Sequence, residues 1–345
     1  MKLSFIDIAS FLVFFVIVVG VSMYKSRKEE SGEDFFLAGR ELLWPIIGLS
    51  LIAANISTEQ IVGQAGQGAS NVGLAVASYE WMASITLVIV AFFFLPRFLK
   101  SGIFTMPEYL EYRYNTTARG LMAFYTLVIY VGVTISAVIY SGALTLNTIF
   151  DMKLLTAVWL IGGIAALYTT WGGLKAVAWA DLFQGGALLV GGIIVLVIGF
   201  SAVGGIDSFM TANADRLHMI LPKDHPVLPW TALILGLWIP NFYYWGLNQY
   251  ITQRSLAGVT ALVASPLIYG ILFFSAKNMA FLNRMAVTFG IILVLMALIT
   301  LLKSLDAAKE MPVREGFENI RLQSPVKYLG LGIIAVTLFL YVVFW

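Results

Sequence analysis

Polar side chains are concentrated in one stretch of an otherwise apolar sequence, between Ser50 and Gln60. Asn, Ser, Thr, Glu and Gln occupy five of the six positions from Asn55 to Gln60. A helix that faces lipid would not carry this set, because unsatisfied polar groups are costly in hydrocarbon. Backbone that leaves the helix at membrane depth exposes carbonyl oxygens, which are good ligands for a hard cation such as Na⁺. We therefore expect an interrupted helix with a cation site here; small residues that only pack against a neighbouring helix are the alternative.

Two carboxylates lie within apolar surroundings and are further candidates for chemistry. Glu80 opens the next apolar stretch, where a carboxylate is costly unless it faces a cavity or a partner. It could equally lie at the water interface, beside the aromatic Tyr79 and Trp81. Asp181 and Gln184 are three residues apart, on one predicted helix face. Asp181 could mark the exit path of a cation, although the pattern slightly favours a helix-start charge stabilised by the dipole.

Aromatic and amide side chains form a second group. Tyr130 lies in a long apolar stretch with other tyrosines, which can stack on a sugar face but more often serve packing. Residues 241–250 combine Asn241 with an aromatic cluster that includes Tyr244 and Trp245, and Pro240 and Gly246 are predicted to flank a bend. Amides beside stacked aromatics in a partly apolar pocket suit a neutral, hydroxyl-rich ligand. A belt of interfacial aromatic residues is the alternative.

The elements that must position these residues are transmembrane helices. Of the 345 residues, 60% are hydrophobic and 12% are charged, whereas soluble domains have about 25% charged residues. This composition excludes a soluble enzyme and a nucleic-acid binder, and no cysteine is present for thiolate chemistry. A membrane enzyme is the least expected class, because no nucleophile–base pair or metal cluster is evident. About ten apolar stretches have the length of a span, near 4–24, 43–64, 75–96, 120–149, 154–170, 176–204, 228–250, 257–275, 280–302 and 327–345.

The basic residues orient these spans. One set of alternate loops contains 15 of the 21 Lys and Arg residues, and cytoplasmic loops carry this excess. The amino terminus is therefore predicted outside the cell, with the loop after the first span inside. The two stretches expected to be interrupted, spans two and seven, are five spans apart. This spacing is typical of a five-plus-five inverted repeat, in which broken helices form the substrate site near the bilayer midplane.

Several of these stretches together resemble the sodium/solute symporter family, in particular its bacterial sodium/galactose (sodium/glucose) branch. The similar segments are 34–40, 50–60, 77–82, 107–113 and 241–254. The resemblance implies that Ala53 and Ile56 offer backbone carbonyls to Na⁺, the expected cofactor ion. It implies that Gln60 and Glu80 hydrogen-bond a sugar, with Asn55 and Tyr130 nearby. It further implies that Asn241 contacts the sugar or its gate, that Tyr244 stacks on the sugar with Trp245 behind it, and that Asp181 lies on the Na⁺ exit path.

The sequence departs from the family pattern in two places. Ala83 stands where the sugar branch often has Ser, which removes one hydrogen bond to the sugar. After Ala257 four spans are missing, and with them most of the second repeat. The predicted organisation is an extra helix at 1–25, a first repeat of five helices at 41–205, the first helix of the second repeat at 226–257 and three helices at 258–345.

The expected fold is an all-α polytopic membrane protein of about ten transmembrane helices, a partial inverted-repeat transporter. The expected function is Na⁺-coupled symport of a galactose- or glucose-like sugar by alternating access in the plasma membrane. Because half of the Na⁺ ligands would be absent, we expect the chain not to transport alone. A membrane sugar sensor or scaffold is the alternative. The expected partners are a sugar, sodium ion and the lipid bilayer, without nucleic acid.

Overall fold

The computed structural model describes residues 4–26, 44–101, 105–246, 248, 279–302, 312–313 and 324–345. These residues are helical apart from connecting turns and one isolated β-bridge between Leu221 and Pro229. In the part described, twelve α-helices are longer than one turn: α1 (Phe5–Lys25), α2 (Trp44–Asn55), α3 (Ser78–Ile89), α4 (Leu95–Ser101), α5 (Met106–Arg113), α6 (Thr116–Ile129), α7 (Ser136–Phe150), α8 (Leu154–Ala202), α9 (Ile206–Ala212), α10 (Trp238–Gly246), α11 (Phe281–Leu302) and α12 (Ser324–Val343).

Irregular helical turns join several of these helices into longer apolar rods. Within the described residues, π-helical segments occur at Glu59–Gln64, Val90–Phe94, Tyr130–Ile135 and Ala232–Gly236. A 3₁₀ turn at Gly73–Ala77 precedes α3. In the described part of the chain, five helical segments are long and apolar enough to cross a membrane: Phe5–Lys25, Gly73–Phe98, Thr116–Phe150, Ala176–Ala202 and Ser324–Val343.

The prediction of about ten spans is met in part. Five predicted spans coincide with these long segments, and two more with the shorter apolar helices Leu154–Leu167 and Phe281–Leu295. The two stretches predicted to be interrupted do not form long helices, and the predicted span at 257–275 lies outside the described residues.

One predicted turn is wrong. The sequence 170–175, with two glycines, is predicted to separate two spans, but α8 continues through it as one helix of 49 residues. Two glycines weaken a helix by only about 1 kcal/mol each, and no proline interrupts residues 154–202. At 1.5 Å per residue α8 is about 74 Å long, more than twice the hydrocarbon thickness of about 30 Å.

The chain divides into two compact units whose limits differ from the predicted organisation, which stays a prediction. Unit 1 comprises Met1–Ala65 and Ile129–Ala212, and unit 2 comprises Gly66–Val128 and Asn213–Trp345. In unit 1, α8 packs against α1, α2 and α7. In unit 2, α3 packs against α10 and α12. The larger buried cluster of unit 2 includes Val76, Met82 and Leu237.

A turn before α3 is fixed to a distant loop of unit 2. Gly73 has a φ of +58°, a left-handed conformation that glycine adopts readily. The Arg216 carbonyl oxygen lies so close to Gly73 that a Cβ there would collide with it. The Arg216 side chain also donates from Nη1 to the Ala69 carbonyl, at 3.1 Å. These contacts hold the entry to the helix that carries Glu80.

Candidate functional site

The helix predicted to be interrupted is broken after Asn55. The amide of Ile56 still donates to the Ile52 carbonyl, at 3.0 Å. The next amide, of Ser57, donates instead to Gln60 Oε1, at 3.0 Å, and the Ser57 hydroxyl donates to the same oxygen at 2.6 Å. In a continuous helix the Ser57 amide would donate to the carbonyl of Ala53. The Gln60 side chain therefore accepts the hydrogen bond that the Ser57 amide would otherwise donate to the Ala53 carbonyl.

This geometry confirms the predicted interruption and also explains the small residues that precede it. The second half of α2 packs closely on α8, where a Cβ added to Gly185 would lie 2.9 Å from the Leu49 carbonyl oxygen and 3.4 Å from Ala53 Cβ. The close-packing alternative thus applies to Leu49–Ala53, whereas the broken backbone begins at Ile56. The segment thus contains a closely packed part followed by a part in which the helical backbone is broken.

Asp181 faces the same half of α2. The Ser50 hydroxyl donates to Asp181 Oδ2 at 2.6 Å, in a partly buried position. Ser50 and Ala53 are one helical turn apart, about 4.5 Å along the axis, so the carboxylate lies near the predicted Na⁺ ligand. The helix-start interpretation of Asp181 is wrong, because α8 begins at Leu154 and Asp181 lies deep within it.

Asp181 and Gln184, predicted to lie on one helix face, are both part of the continuous helix α8. Although the two residues are three apart, they face different neighbours. Asp181 bonds to α2, whereas Gln184 lines a groove between α8 and α1. A separation of three residues leaves side chains about 60° apart around a helix axis, which is enough to reach two different partner helices.

A cavity of about 570 Å³ adjoins the broken segment within unit 1. Thr58 and Ser141 line it, and their hydroxyls are hydrogen-bonded to each other. The hydroxyls of Thr145 and Thr148 also belong to its wall but donate to carbonyls of their own helix. The sequence does not indicate that Thr58 and Ser141 meet, because 83 positions separate them. Ser50 was equally missed, although the spacing of Ser50, Ala53 and Ser57 is that of one helix face.

Two of the four described π-helical segments contain predicted site residues. Gln60 lies in Glu59–Gln64, and Tyr130 is the first residue of Tyr130–Ile135. The segment Ala232–Gly236 comes directly before α10, which carries Asn241 and the aromatic pair. Such π-helical insertions are frequent at functional sites because they turn side chains out of the regular helical path.

Unit 2 places Glu80 and Asn241 on two packed helices. Glu80 lies in the first turn of α3. Met82 and Leu237 share one buried cluster, and a Cβ on Gly246 would lie 3.3 Å from Val90 Cγ2. Met82 and Val90 are eight residues apart, and Leu237 and Gly246 are nine apart. Because both pairs follow the same chain order, α3 and α10 run side by side in the same direction.

The described helix α10 corrects the prediction of a bend between Pro240 and Gly246. Those residues form regular helix, with Pro240 in the first turn, where proline is tolerated. Asn241 is buried, and its Nδ2 donates to the Leu237 carbonyl at 3.0 Å. The rings of Tyr244 and Trp245 meet edge to face at 5.1 Å, and Trp245 is buried.

The predicted site residues are thus divided between the units. Unit 1 contains the broken helix, Tyr130 and Asp181, and unit 2 contains Glu80 and α10. Three predicted features lie outside the described residues: the motif at 34–40, the residues 249–250 and the junction after Ala257. The full set is Ala53, Asn55, Ile56, Gln60, Tyr130 and Asp181 in unit 1 and Glu80, Asn241, Tyr244 and Trp245 in unit 2.

Comparison with known proteins gives consistent matches. The model of the sodium:solute symporter family matches residues 35–312. The chain is 42% identical over 270 residues to a sodium/glucose cotransporter of Vibrio parahaemolyticus, covering 74% of this chain and 50% of that protein. It is 39% identical over 270 residues to the uncharacterized symporter YidK of Escherichia coli (73% and 47% covered). It is 34% identical over 277 residues to mouse sodium/glucose cotransporter 1 (73% and 42% covered).

The chain therefore spans about half the length of the curated relatives it matches, or slightly less. Among solved structures, a Na⁺-coupled sialic acid symporter in a substrate-bound outward-open state matches with a TM-score of 0.62. That match covers 99% of this chain and 71% of the other, at 18% identity, and shows a common fold.

Proposed function

Because the chain belongs to the sodium:solute symporter family, a family of membrane transporters and not of enzymes, we propose that it carries the ion- and sugar-binding half of a Na⁺-coupled sugar symporter. In such a protein Na⁺ is a co-substrate rather than a resident cofactor. The proposed mechanism is alternating access, in which Na⁺ at the broken helix favours sugar binding between two repeats. Sodium entry contributes about 2.3 kcal/mol per charge per 100 mV.

The observation that carries this proposal is the diversion of the Ser57 amide to Gln60. It removes the helical donor of Ala53, whose carbonyl, with that of Ile56, is the proposed Na⁺ ligand. Carbonyl oxygens of unwound helices are the usual Na⁺ ligands in transporters with broken helices. Asp181, held by Ser50 one turn away, is placed to attract a cation leaving this site.

The same geometry refines the proposed role of Gln60 toward a sugar. Its Oε1 already accepts two hydrogen bonds from Ser57, so the amide Nε2 is the group that can donate to a sugar hydroxyl. Glu80 would accept from another hydroxyl, with Asn55 and Tyr130 close to the sugar. Asn241 would contribute its Oδ1, because its Nδ2 is bonded to Leu237. Tyr244, with Trp245 behind it, would stack on the sugar ring.

We further propose that the chain does not complete the transport cycle alone and lies in the plasma membrane with its amino terminus outside. It spans about half of its relatives, and the missing spans would provide the remaining Na⁺ ligands. The test is uptake of labelled galactose or glucose into proteoliposomes containing only this chain, in Na⁺ and in K⁺ buffers. No uptake is expected, and Na⁺-dependent uptake would contradict this part of the proposal.

Binding by the same purified chain tests the site itself. Labelled Na⁺ should bind to the wild type and to the control variant Gln67→Leu, whose side chain is exposed. The Gln60→Leu variant, which returns the Ser57 amide to Ala53, should bind Na⁺ at least tenfold more weakly. Equal Na⁺ binding by both variants would refute the role of Gln60. Sugar binding that is independent of Na⁺ would favour the alternative, a membrane sugar sensor or scaffold.

A further inference from the structure

A narrow groove of about 240 Å³ runs between α1 and α8 in unit 1. Its wall is mainly apolar. The Ser22 hydroxyl, which lies in it, donates its proton to the Val18 carbonyl at 2.6 Å and so has no hydrogen left to donate to a ligand. Phe11, at the far end, is 47% exposed, so the groove opens to the surroundings of α1. The residues that matter here are Phe11, Phe15, Val19, Ser22, Ala180 and Gln184.

The groove has the length of one lipid leaflet. From Phe11 to Ser22 the helix rises about 16 Å at 1.5 Å per residue. Half of the hydrocarbon thickness of a bilayer is about 15 Å. The α1 segment is one of those long and apolar enough to span a membrane. An extended acyl chain in one leaflet therefore matches the groove in both polarity and length.

The end of the groove near Ser22 carries a positive charge. Lys25, one turn further along α1, places its Nζ 5.2 Å from the centre of the Trp179 ring. Among the described residues, no carboxylate forms an ion pair with Lys25. Lysine and tryptophan together are typical of the headgroup level of a membrane. In the sequence, two more basic residues, Arg27 and Lys28, follow Lys25 before the next acidic residues, Glu29 and Glu30.

One polar side chain lies below this level. Gln184 is five residues after Trp179 on α8, about 7.5 Å along the axis, and its side chain lines the groove. In a phospholipid the ester carbonyls lie just below the phosphate, where the Gln184 amide could donate a hydrogen bond. From Lys25 through Gln184 to the apolar wall, the groove thus presents groups in the same order as the phosphate, ester and acyl chain of a phospholipid.

We propose that this groove binds one anionic phospholipid, with an acyl chain along α1, an ester carbonyl at Gln184 and the phosphate at Lys25. The inference does not depend on the proposed transport function. Anionic lipids attract basic residues next to a membrane span, at about 1 kcal/mol per Lys or Arg. This corresponds to about a fivefold change in affinity for each such residue.

The test uses the full chain in detergent, titrated with phosphatidylglycerol or phosphatidylcholine and followed by native mass spectrometry. The wild type should bind one phosphatidylglycerol at least fivefold more tightly than phosphatidylcholine. Lys25→Gln should abolish this preference, whereas Lys153→Gln, which removes an exposed lysine outside the groove, should keep it. Equal binding of the two lipids by the wild type, or an unchanged preference in Lys25→Gln, would overturn the proposal.

A second pair of variants tests the acyl-chain groove. Val19→Trp should fill the groove and remove the single tightly bound lipid. Val13→Trp makes the same substitution at an exposed position of α1 outside the groove and should leave binding intact. Circular dichroism and size-exclusion chromatography check that both variants fold. A folded Val19→Trp protein that retains the bound lipid would contradict the proposed position of the acyl chain.

Discussion

The contact between Gly185 and α2 allows one prediction to be worked out in detail. A methyl group added at Gly185 would lie 2.9 Å from the Leu49 carbonyl oxygen, whereas a carbon–oxygen contact requires about 3.3 Å or more. Backbone cannot rotate away as a long side chain can, so α2 must retreat from α8 by about 0.5 Å. The adjacent Gly186 provides a matched control, because an added Cβ there meets nothing within 4 Å.

The two variants, Gly185→Ala and Gly186→Ala, should differ only by this contact. Both replace glycine by alanine in the same helix, which alone stabilises a helix by roughly 0.5–1 kcal/mol. Overpacking costs about 1–3 kcal/mol, so Gly185→Ala should be less stable than Gly186→Ala by about this amount. For unit 1, of about 150 residues, 1 kcal/mol corresponds to about 2–4 °C in Tm. The expected difference in Tm is therefore between about 2 and 12 °C.

Thermal unfolding in detergent micelles, followed by intrinsic fluorescence, measures this difference. A Gly185→Ala protein as stable as Gly186→Ala would refute the packing of α2 on α8. The same variants also test the cation site. A shift of 0.5 Å is comparable to the tolerance of a functional site, so Gly185→Ala should weaken Na⁺ binding while Gly186→Ala does not. Loss of stability without loss of Na⁺ affinity would remove Ala53 from the site but leave the packing contact intact.

Two further predictions concern single contacts. Gly73→Ala should destabilise the protein by at least about 1–2 kcal/mol, the cost of a left-handed residue, because its Cβ would also collide with the Arg216 carbonyl. The control Gly68→Ala, with open space around it, should leave stability unchanged. Equal Tm values for the two variants would contradict the turn at Gly73. Ser50→Ala and Asp181→Ala should show a coupling energy of about 1–2 kcal/mol in a double-mutant cycle of unfolding. Strictly additive effects would mean that the Ser50–Asp181 hydrogen bond contributes nothing.

The broken helix was predictable because its chemistry is local. Five polar residues within six positions cannot face lipid, and the break follows directly after Asn55, within that cluster. The turn predicted at 170–175 failed because helix continuation depends on small propensity differences. Two glycines without a proline each weaken a helix by only about 1 kcal/mol, which does not stop it. The Thr58–Ser141 contact lay beyond prediction, since a pairing across 83 positions depends on how the helices pack, which no local pattern encodes.

For Asp181, the structure excludes one of the two explanations that the sequence allows. The sequence placed it near the start of a span, where a carboxylate needs no partner other than the helix dipole. The continuous α8 removes that helix start, so the carboxylate must be satisfied from another helix, and Ser50 supplies the donor. A polar side chain at membrane depth is therefore informative only once its helix boundaries are known.

The two parts of the segment 44–64 are held by different contacts. Leu49–Ala53 is held against α8 by a close glycine contact and by the Ser50–Asp181 hydrogen bond. From Ile56 onward the backbone depends on Gln60 and a π-helical turn rather than on a regular helix. The proposed Na⁺ ligands, Ala53 and Ile56, lie on either side of this boundary. Affinity for a hard cation rises with the number of oxygen ligands and the rigidity of the site. Two carbonyl ligands alone would therefore give weak Na⁺ binding until further oxygen ligands close on the ion, which agrees with the proposed dependence on a second repeat.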